Sequence, residues 1–439
     1  MSADCMNVLM VYPEFPETFW SFTSIRKMRG VRAIQPPLSL LTVAALLPSD
    51  WNIRLVDLNV RAFTEPDWEW ADYVMASAMF IQETGLMEIV RDAKRRGKTT
   101  IVGGPCPTRI PGKLLDLGCD YVVKGEAENT IHALLDALER KSGPAIIQSA
   151  EKPDLSTSPV PRFDLVRPGD YGSMVIQTSR GCPYNCEFCD IIDLFGRVPR
   201  YKTGEQVAVE LSAIRSTGHS GHVFIADDNF IGNRQKAEEI LTHITAWNRR
   251  HGEPFGYSTQ ASVNLGQDPG LIDLLTAANF GEIFMGLETT DVHALAGIGK
   301  TQNLKDPMVE SVNNIMKNGL TVVGSFMIGF DQEAGNVSSQ ICELVEQAAI
   351  PVAMINLLMA APGTALWRRL ELEGRLVEIQ TTPDATCSQF NFRTKRPEAE
   401  ILEDCAGMWE RLYEPSNHLD RAFRYYTGMR PTRLAAASA

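Results

Sequence analysis

Three cysteines, Cys182, Cys186 and Cys189, stand at offsets of four and then three within TSRGCPYNCEFCDI, residues 178–191. Thiolates are soft ligands suited to zinc or to iron–sulfur clusters. A structural zinc site closes a tetrahedron with four ligands, and neither a second CxxC pair nor an adjacent histidine completes one. His219 and His222, the nearest histidines, flank the next strand. Three thiolates instead suit a cubane [4Fe–4S] cluster with one iron left open to a further ligand. A binding protein that holds zinc structurally is the competing reading. Cys5, Cys106, Cys119, Cys342, Cys387 and Cys405 are expected to be small hydrophobes rather than ligands.

The triplet follows GSMVIQTSRG, which reads as a strand, and from there apolar runs alternate with helical patterns. GHVFIADDNF, FGYSTQASV, GEIFMGLET, TVVGSFMIGF and VAMINLLMAAPGTAL are the later strands. Six βα units are fewer than the eight of a complete barrel, so a partial (β/α)6 TIM-type barrel is expected over 171–370. Barrel enzymes place their chemistry on loops after the strands, where the three cysteines lie. Residues 1–145 show a separate alternation that predicts a Rossmann-like, doubly wound α/β domain, in which ligands bind outside the carboxyl ends of the strands. Those ends carry Asp57, Asn59, Ser77, Met79, Gly103, Gly104, Gly125 and Glu126. Residues 146–170, rich in Pro, Ser and Asp, read as a linker, and 371–439 as a helical segment with a loose tail.

At 439 residues the chain is long enough for two or three domains, and 44% hydrophobic with 22% charged residues is a globular composition. A net charge of −12 argues against nucleic-acid partners. The opening MSADCMNVLMVYPEF lacks a basic region before a long apolar run, so no secretory signal is expected. PPLSLLTVAALLPSDW is too short to span a bilayer and reads as a buried helix. Nine scattered cysteines do not form a disulfide framework, which points to a reducing cytoplasm.

CPYNCEFC after the first strand of a partial barrel, with an aromatic before the last cysteine, resembles the signature of the radical S-adenosylmethionine (SAM) superfamily. The resemblance implies that the open iron chelates the amino and carboxylate groups of SAM. One electron, from an external donor of flavodoxin or ferredoxin type, then cleaves the sulfonium to a 5'-deoxyadenosyl radical. Phe188 resembles the aromatic that approaches adenine, with loop packing as its alternative. Asp227, Asp228 and Asn229 in FIADDNF resemble the segment that holds the methionine end of SAM, and a helix N-cap before NRQKAEE is the rival. Glu288 in FMGLET matches a polar position near the ribose, against a surface salt bridge. SFMIGF resembles the strand backing the adenine, and APGTAL the closing loop.

VGGP followed by DYVVKGEAE resembles the cobalamin-binding domain of the B12-dependent subgroup. VYPEFPETFWSF and QPPLSLLTVAALLP look like the branch containing hopanoid and bacteriochlorophyll-type methylases. No Asp-x-His-x-x-Gly segment supplies a cobalt-binding histidine, and His132, inside a helix, reads as structural. Cobalt is therefore expected to take no histidine, with the Met79–Gln82 loop below it; a degenerate domain without cobalamin is the alternative. Phe19, Trp20 and Phe22 either pack or line a cofactor pocket. The expected activity is a cobalamin-dependent radical SAM methyltransferase acting on an unactivated carbon of a small-molecule, lipid or tetrapyrrole-type substrate. Oxidation, cyclisation or ring contraction with the same cofactors is the alternative outcome.

Overall fold

The computed structural model describes residues 5–17, 23–333, 335–377 and 389–429. Phe19, Trp20, Phe22, Cys387 and the tail from residue 430 lie outside the described residues. Contacts divide the chain into two compact units, 1–176 with 209–220 and 177–208 with 221–439.

The first unit is built on a parallel sheet of β1 (Asn7–Tyr12), β2 (Asn52–Asp57), β3 (Tyr73–Ser77), β4 (Thr99–Gly103), β5 (Tyr121–Lys124) and β6 (Ala145–Gln148). Their order is β2-β1-β3-β4-β5-β6. Alternate residues of β1 enter opposite cores: Leu9 and Val11 pack with Val56, Leu86 and Val102, while Val8 and Met10 pack with Leu40, Met75 and Leu134. A strand covered on both faces needs apolar residues at consecutive positions, which is why NVLMVY shows no alternation. The strand order reverses between β1 and β3, the place where an open α/β sheet leaves a crevice at its strand ends. Residues 146–148, read above as linker, belong to β6. Four residues with alternating exposure, Ile146 among the exposed, carry too short a pattern to announce a strand.

The second sheet has the order β14-β13-β12-β11-β10-β7, from β7 (Met174–Ile176), β10 (Gly221–Ile225), β11 (Phe255–Gln260), β12 (Phe280–Glu288), β13 (Thr321–Ile328) and β14 (Val352–Leu357). These are the six strands expected, and the pairs from β10 to β14 are parallel. A two-stranded antiparallel ribbon, β8 (Ser179–Arg180) with β9 (Arg200–Tyr201), closes the excursion that carries the cysteines. Helices at Glu398–Tyr413 and Pro415–Gly428 fill the expected C-terminal segment. Among the described residues no helix is long and apolar enough to cross a membrane.

Candidate active site

Backbone contacts hold the cysteine loop at both ends. Gly181 has φ +99°, and a Cβ there would stand 2.9 Å from the Gly196 carbonyl oxygen, to which the Cys182 N–H donates at 3.3 Å. Farther along, the Cys189 N–H donates to the Cys186 carbonyl at 3.2 Å and the Glu187 N–H to the Ile298 carbonyl at 2.8 Å. Gly299, at φ +71°, makes that approach possible, because a Cβ there would lie 2.7 Å from the Asn185 carbonyl. The Glu187 carboxylate receives Arg369 at 2.6 and 3.1 Å, and the same guanidinium donates to Asp331 at 2.8 Å.

Burial raises all three thiol pKa values, that of Cys189 to about 12. Nearby thiols add to the effect: Cys186 raises Cys182, and both raise Cys189. Neutral thiols are expected until a metal displaces their protons. Among the described residues no three His, Cys, Asp or Glu side chains already stand as a metal-ligand set, so the loop supplies donor type, spacing and burial rather than finished geometry. Three soft donors on one short loop, Cys186 buried and Cys182 and Cys189 half-buried, fit a thiolate-ligated iron–sulfur cluster.

Asp227 follows β10 and is buried, and it serves this loop. Its two oxygens accept from the Thr178 N–H (2.7 Å), the Thr178 hydroxyl (2.5 Å), the Ser179 N–H (3.0 Å) and the Ser179 hydroxyl (2.7 Å). A carboxylate has about four acceptor positions, so none remains for a ligand. Asp228 accepts from the Gly181 N–H at 2.8 Å, and burial lifts its pKa to about 7. Asn229 takes the Ser262 N–H at 3.2 Å and ties the end of β10 to that of β11. The rival reading of these residues as a helix cap is taken by Asn233, whose side chain accepts from the Lys236 N–H.

Glu288 ends β12 at a register shift, with φ +64°. A bulge re-aims the side chain it carries, and Gly286 leaves the space: a Cβ there would lie 2.4 Å from Glu288 Oε1. The expected surface salt bridge is a buried one, to Lys300 Nζ at 2.5 Å. Burial opposes the lysine's charge, but the Glu288 carboxylate and the Cys186 thiol outweigh it and raise its pKa. Lys300 also lies 5.9 Å from the Phe188 ring centre, and Phe188 packs 6.2 Å from Phe330 after β13. Sequence reasoning missed Lys300, Gln302 and Asn303, since GKTQNL has no periodicity or motif to single it out. The amide oxygens Gln302 Oε1 and Asn303 Oδ1, and Glu333 Oε1, are buried with no hydrogen-bond partner among the described residues. The two orphaned amide acceptors, in the turn that reaches Cys186, fit a ligand rich in donors, as the amino group and ribose of SAM are. Burial raises the Glu333 pKa to about 8 against the opposing pull of the Gly329 and Phe330 N–H groups.

In the first unit the strand ends bring several expected residues together. Asp57 Oδ1 accepts from the Asn59 N–H (2.9 Å) and Nδ2 (2.7 Å), and Oδ2 accepts from the Tyr171 hydroxyl (3.1 Å). Burial raises its pKa. The Ser77 hydroxyl meets that of Ser39 at 3.0 Å, and a Cβ on Gly104, whose φ is +100°, would stand 2.6 Å from Ser77 Oγ. That close approach of the β3 and β4 ends requires a glycine at 104. Gly103 has only ordinary contacts in prospect, 3.6 Å to Val123. Gly125, at φ +85°, donates its N–H to Thr108 Oγ1 at 3.1 Å, and Glu126 is buried with Lys152 3.9 Å away. Met79 and Phe80 are exposed, and Gln82 anchors their turn by accepting the Met79 N–H and donating to the Pro13 carbonyl. His132 is exposed on its helix. Cys106, Cys119, Cys342 and Cys405 are buried, as small hydrophobes would be, and Cys5 is exposed.

Family models agree with this arrangement. One described as the B12 binding domain matches residues 28–135, one for the radical SAM superfamily matches 176–336, and a domain of unknown function, DUF4070, matches 364–439. An uncharacterized methyltransferase of Synechocystis sp. is 40% identical over 96% of this chain and 78% of its own length. The hopanoid C-2 methylase of Rhodopseudomonas palustris is 35% identical over 98% of this chain and 82% of its own length. The fold is that of a cobalamin-dependent SAM radical enzyme, OxsB, solved with aqua-cobalamin and SAM (TM-score 0.71, 15% identity, 97% of this chain and 71% of that one).

Proposed function

The chain belongs to the cobalamin-binding radical SAM methyltransferase family that includes the hopanoid C-2 methylase, and from that premise we propose that it methylates an unactivated carbon of a small, largely apolar molecule of lipid or tetrapyrrole type. The observation that carries the reading is the three-thiol loop after β7, with Cys186 buried and Cys182 and Cys189 half-buried, in a chain that also presents the close Gly104–Ser77 approach at the strand ends of its first sheet. When bound, the family's [4Fe–4S] cluster supplies one electron to cleave the SAM sulfonium, and cobalamin carries a methyl group. In this reading Cys182, Cys186 and Cys189 hold the cluster. Phe188, Asp228, Asn229 and Glu288 line the SAM side, where Lys300 fixes Glu288 and Phe330 backs Phe188. Asp227 acts one step removed, by holding Thr178 and Ser179 in place. Asp57, Asn59, Ser77, Met79, Gly103, Gly104, Gly125 and Glu126 would form the rim of the cobalamin site, where the Met79–Gln82 turn would take the place of a histidine.

The electron comes from a low-potential flavodoxin or ferredoxin type donor, the compartment is the reducing cytoplasm, and nucleic acid is not a partner of a chain with a net charge of −12. The test is anaerobic reconstitution of the full chain with iron, sulfide and cobalamin, followed by turnover with SAM labelled in its methyl group. Label in the product marks methylation; a product without label marks oxidation or cyclisation instead. A chain that takes up zinc but shows no cluster absorption or EPR signal refutes the proposal.

A further inference from the structure

The turn 300–303 is fixed on both sides of Gln302. Lys300 is pinned by its ion pair to Glu288, and the Asn303 side chain donates to the Gly286 and Leu287 carbonyls at 3.2 and 2.9 Å. The Asn303 N–H closes the turn onto the Lys300 carbonyl at 3.1 Å. Between these anchors Gln302, 3% exposed, points its amide Nε2 at Cys186 Sγ, 3.8 Å away. Its other amide atom, Oε1, is buried without a hydrogen-bond partner among the described residues.

An amide taken out of water with one weak contact to sulfur and an unmet oxygen is a net destabilising choice for a folded chain. A leucine or methionine would fill the same space without that penalty. Gln302 is therefore not explained as a structural clamp. Its one polar contact is to a side chain that, in the function proposed above and on which this inference rests, is a cluster ligand.

We infer that Gln302 is a positioning residue that sets the redox potential of the cluster by donating an N–H···S hydrogen bond to Cys186. A hydrogen bond to a ligating sulfur stabilises the more negative, reduced cluster over the oxidised one, and so raises the potential. The rigid turn holds the donor in place before and after the electron arrives, so no reorganisation is required at the moment of reduction. Through that bond the residue acts on how readily SAM cleavage is driven.

The experiment compares the full chain with Gln302→Leu and Gln302→Met, all reconstituted anaerobically with iron and sulfide. Iron content is measured first, and the cluster's midpoint potential is then taken by EPR-monitored redox titration without SAM. ENDOR spectroscopy of the reduced cluster after exchange into deuterated buffer reports exchangeable protons near its sulfurs. The expected result is wild-type iron content, a midpoint potential shifted to more negative values in both variants, and loss of one exchangeable-proton coupling. Equal potentials and unchanged proton couplings in variants that hold the cluster overturn the inference alone. Failure of both variants to assemble a cluster also overturns it, by making Gln302 a structural residue of the loop. A wild-type chain that assembles no cluster overturns the proposed function, and this inference with it.

Discussion

Replacing Asp227 by alanine should loosen the cysteine loop rather than weaken the binding of SAM. The carboxylate gathers four donors from two consecutive residues, Thr178 and Ser179, four and three positions before the first cysteine. Hydrogen bonds to a charged group contribute about 1.5–3 kcal/mol each. These four share a single carboxylate and a single desolvation, so their values do not add. Removing the carboxylate leaves four buried donors unsatisfied at about 1–3 kcal/mol each, which without full additivity amounts to about 3–5 kcal/mol. Asp227→Asn keeps one oxygen for the two backbone N–H groups, and the freely rotating hydroxyls turn to accept from its NH2; its cost is about 1–2 kcal/mol. Native-state hydrogen exchange, read on the peptide carrying Thr178 and Ser179 in the cluster-free chain, measures this local opening directly. At a factor of ten per 1.4 kcal/mol, the alanine variant should exchange there on the order of 10²–10³-fold faster and the asparagine variant about tenfold faster. Iron uptake on reconstitution should fall in the same order. Wild-type exchange and full iron content in Asp227→Ala, combined with weakened SAM binding, would refute the assignment and return the residue to the cofactor.

Three further outcomes are expected. Glu333 keeps its proton in the folded chain up to a pKa of about 8, whereas the unfolded carboxyl loses it near 4.5. Stability should therefore fall as pH rises through that window, by up to about 1.4 kcal/mol per pH unit, and Glu333→Gln should flatten the dependence in urea titrations; parallel pH profiles would contradict it. Gly104, at φ +100° and ψ −173°, occupies a region that side chains tolerate at a cost of about 1–3 kcal/mol. Gly104→Ala should thus lose both stability and retained cobalamin on gel filtration, while Gly103→Ala should shift stability by less than about 1 kcal/mol. Equal tolerance at the two positions would remove the close-approach argument. Lys300→Met leaves Glu288 as a buried, unpaired carboxylate and should cost about 3–5 kcal/mol. The double variant Lys300→Met with Glu288→Gln should recover most of that loss, and additive losses in urea denaturation would count against the pair.

The fold was legible because its signals are long. Five strands of five or more residues, with the three-residue β7 inside a longer apolar run, are separated by helices of nine or more, and the strands found at β7 and β10 to β14 coincide with the six runs picked out by pattern. The four-residue β6 was not legible, since a strand so short, with Ile146 outward, resembles the irregular chain that follows it. At the site, donor chemistry and spacing marked Cys182, Cys186 and Cys189, because few other arrangements bring three soft ligands so close. The strand-end position marked Glu288, but the lysine that balances it arrives twelve residues later from a turn without pattern. Pairings of that kind depend on tertiary approach, and a linear sequence does not display them.

Asp227 and Asp228 show where such reading stops. Adjacent, chemically identical and both after β10, they face opposite demands: one receives four donors from the preceding strand's loop, while the other receives one N–H and sits beside Asp227 and Asp190 with its pKa near 7. A residue's type and its distance from a strand end place it at the barrel mouth, and both aspartates satisfy that test. Which one supports the loop depends on which of them reaches the backbone that follows β7. Thr178 and Ser179, and not Gly181, are the partners of the first carboxylate. The buried groups surrounding the thiols follow from the same geometry. Once Asp227 has fixed the loop and Gly299 has admitted the Asn185 carbonyl, Lys300 and Gln302 are carried to the sulfur side by the turn that contains them. The polar atoms that remain unmatched there among the described residues, Gln302 Oε1 and Asn303 Oδ1, come from that same turn, and no feature of the linear sequence announces them.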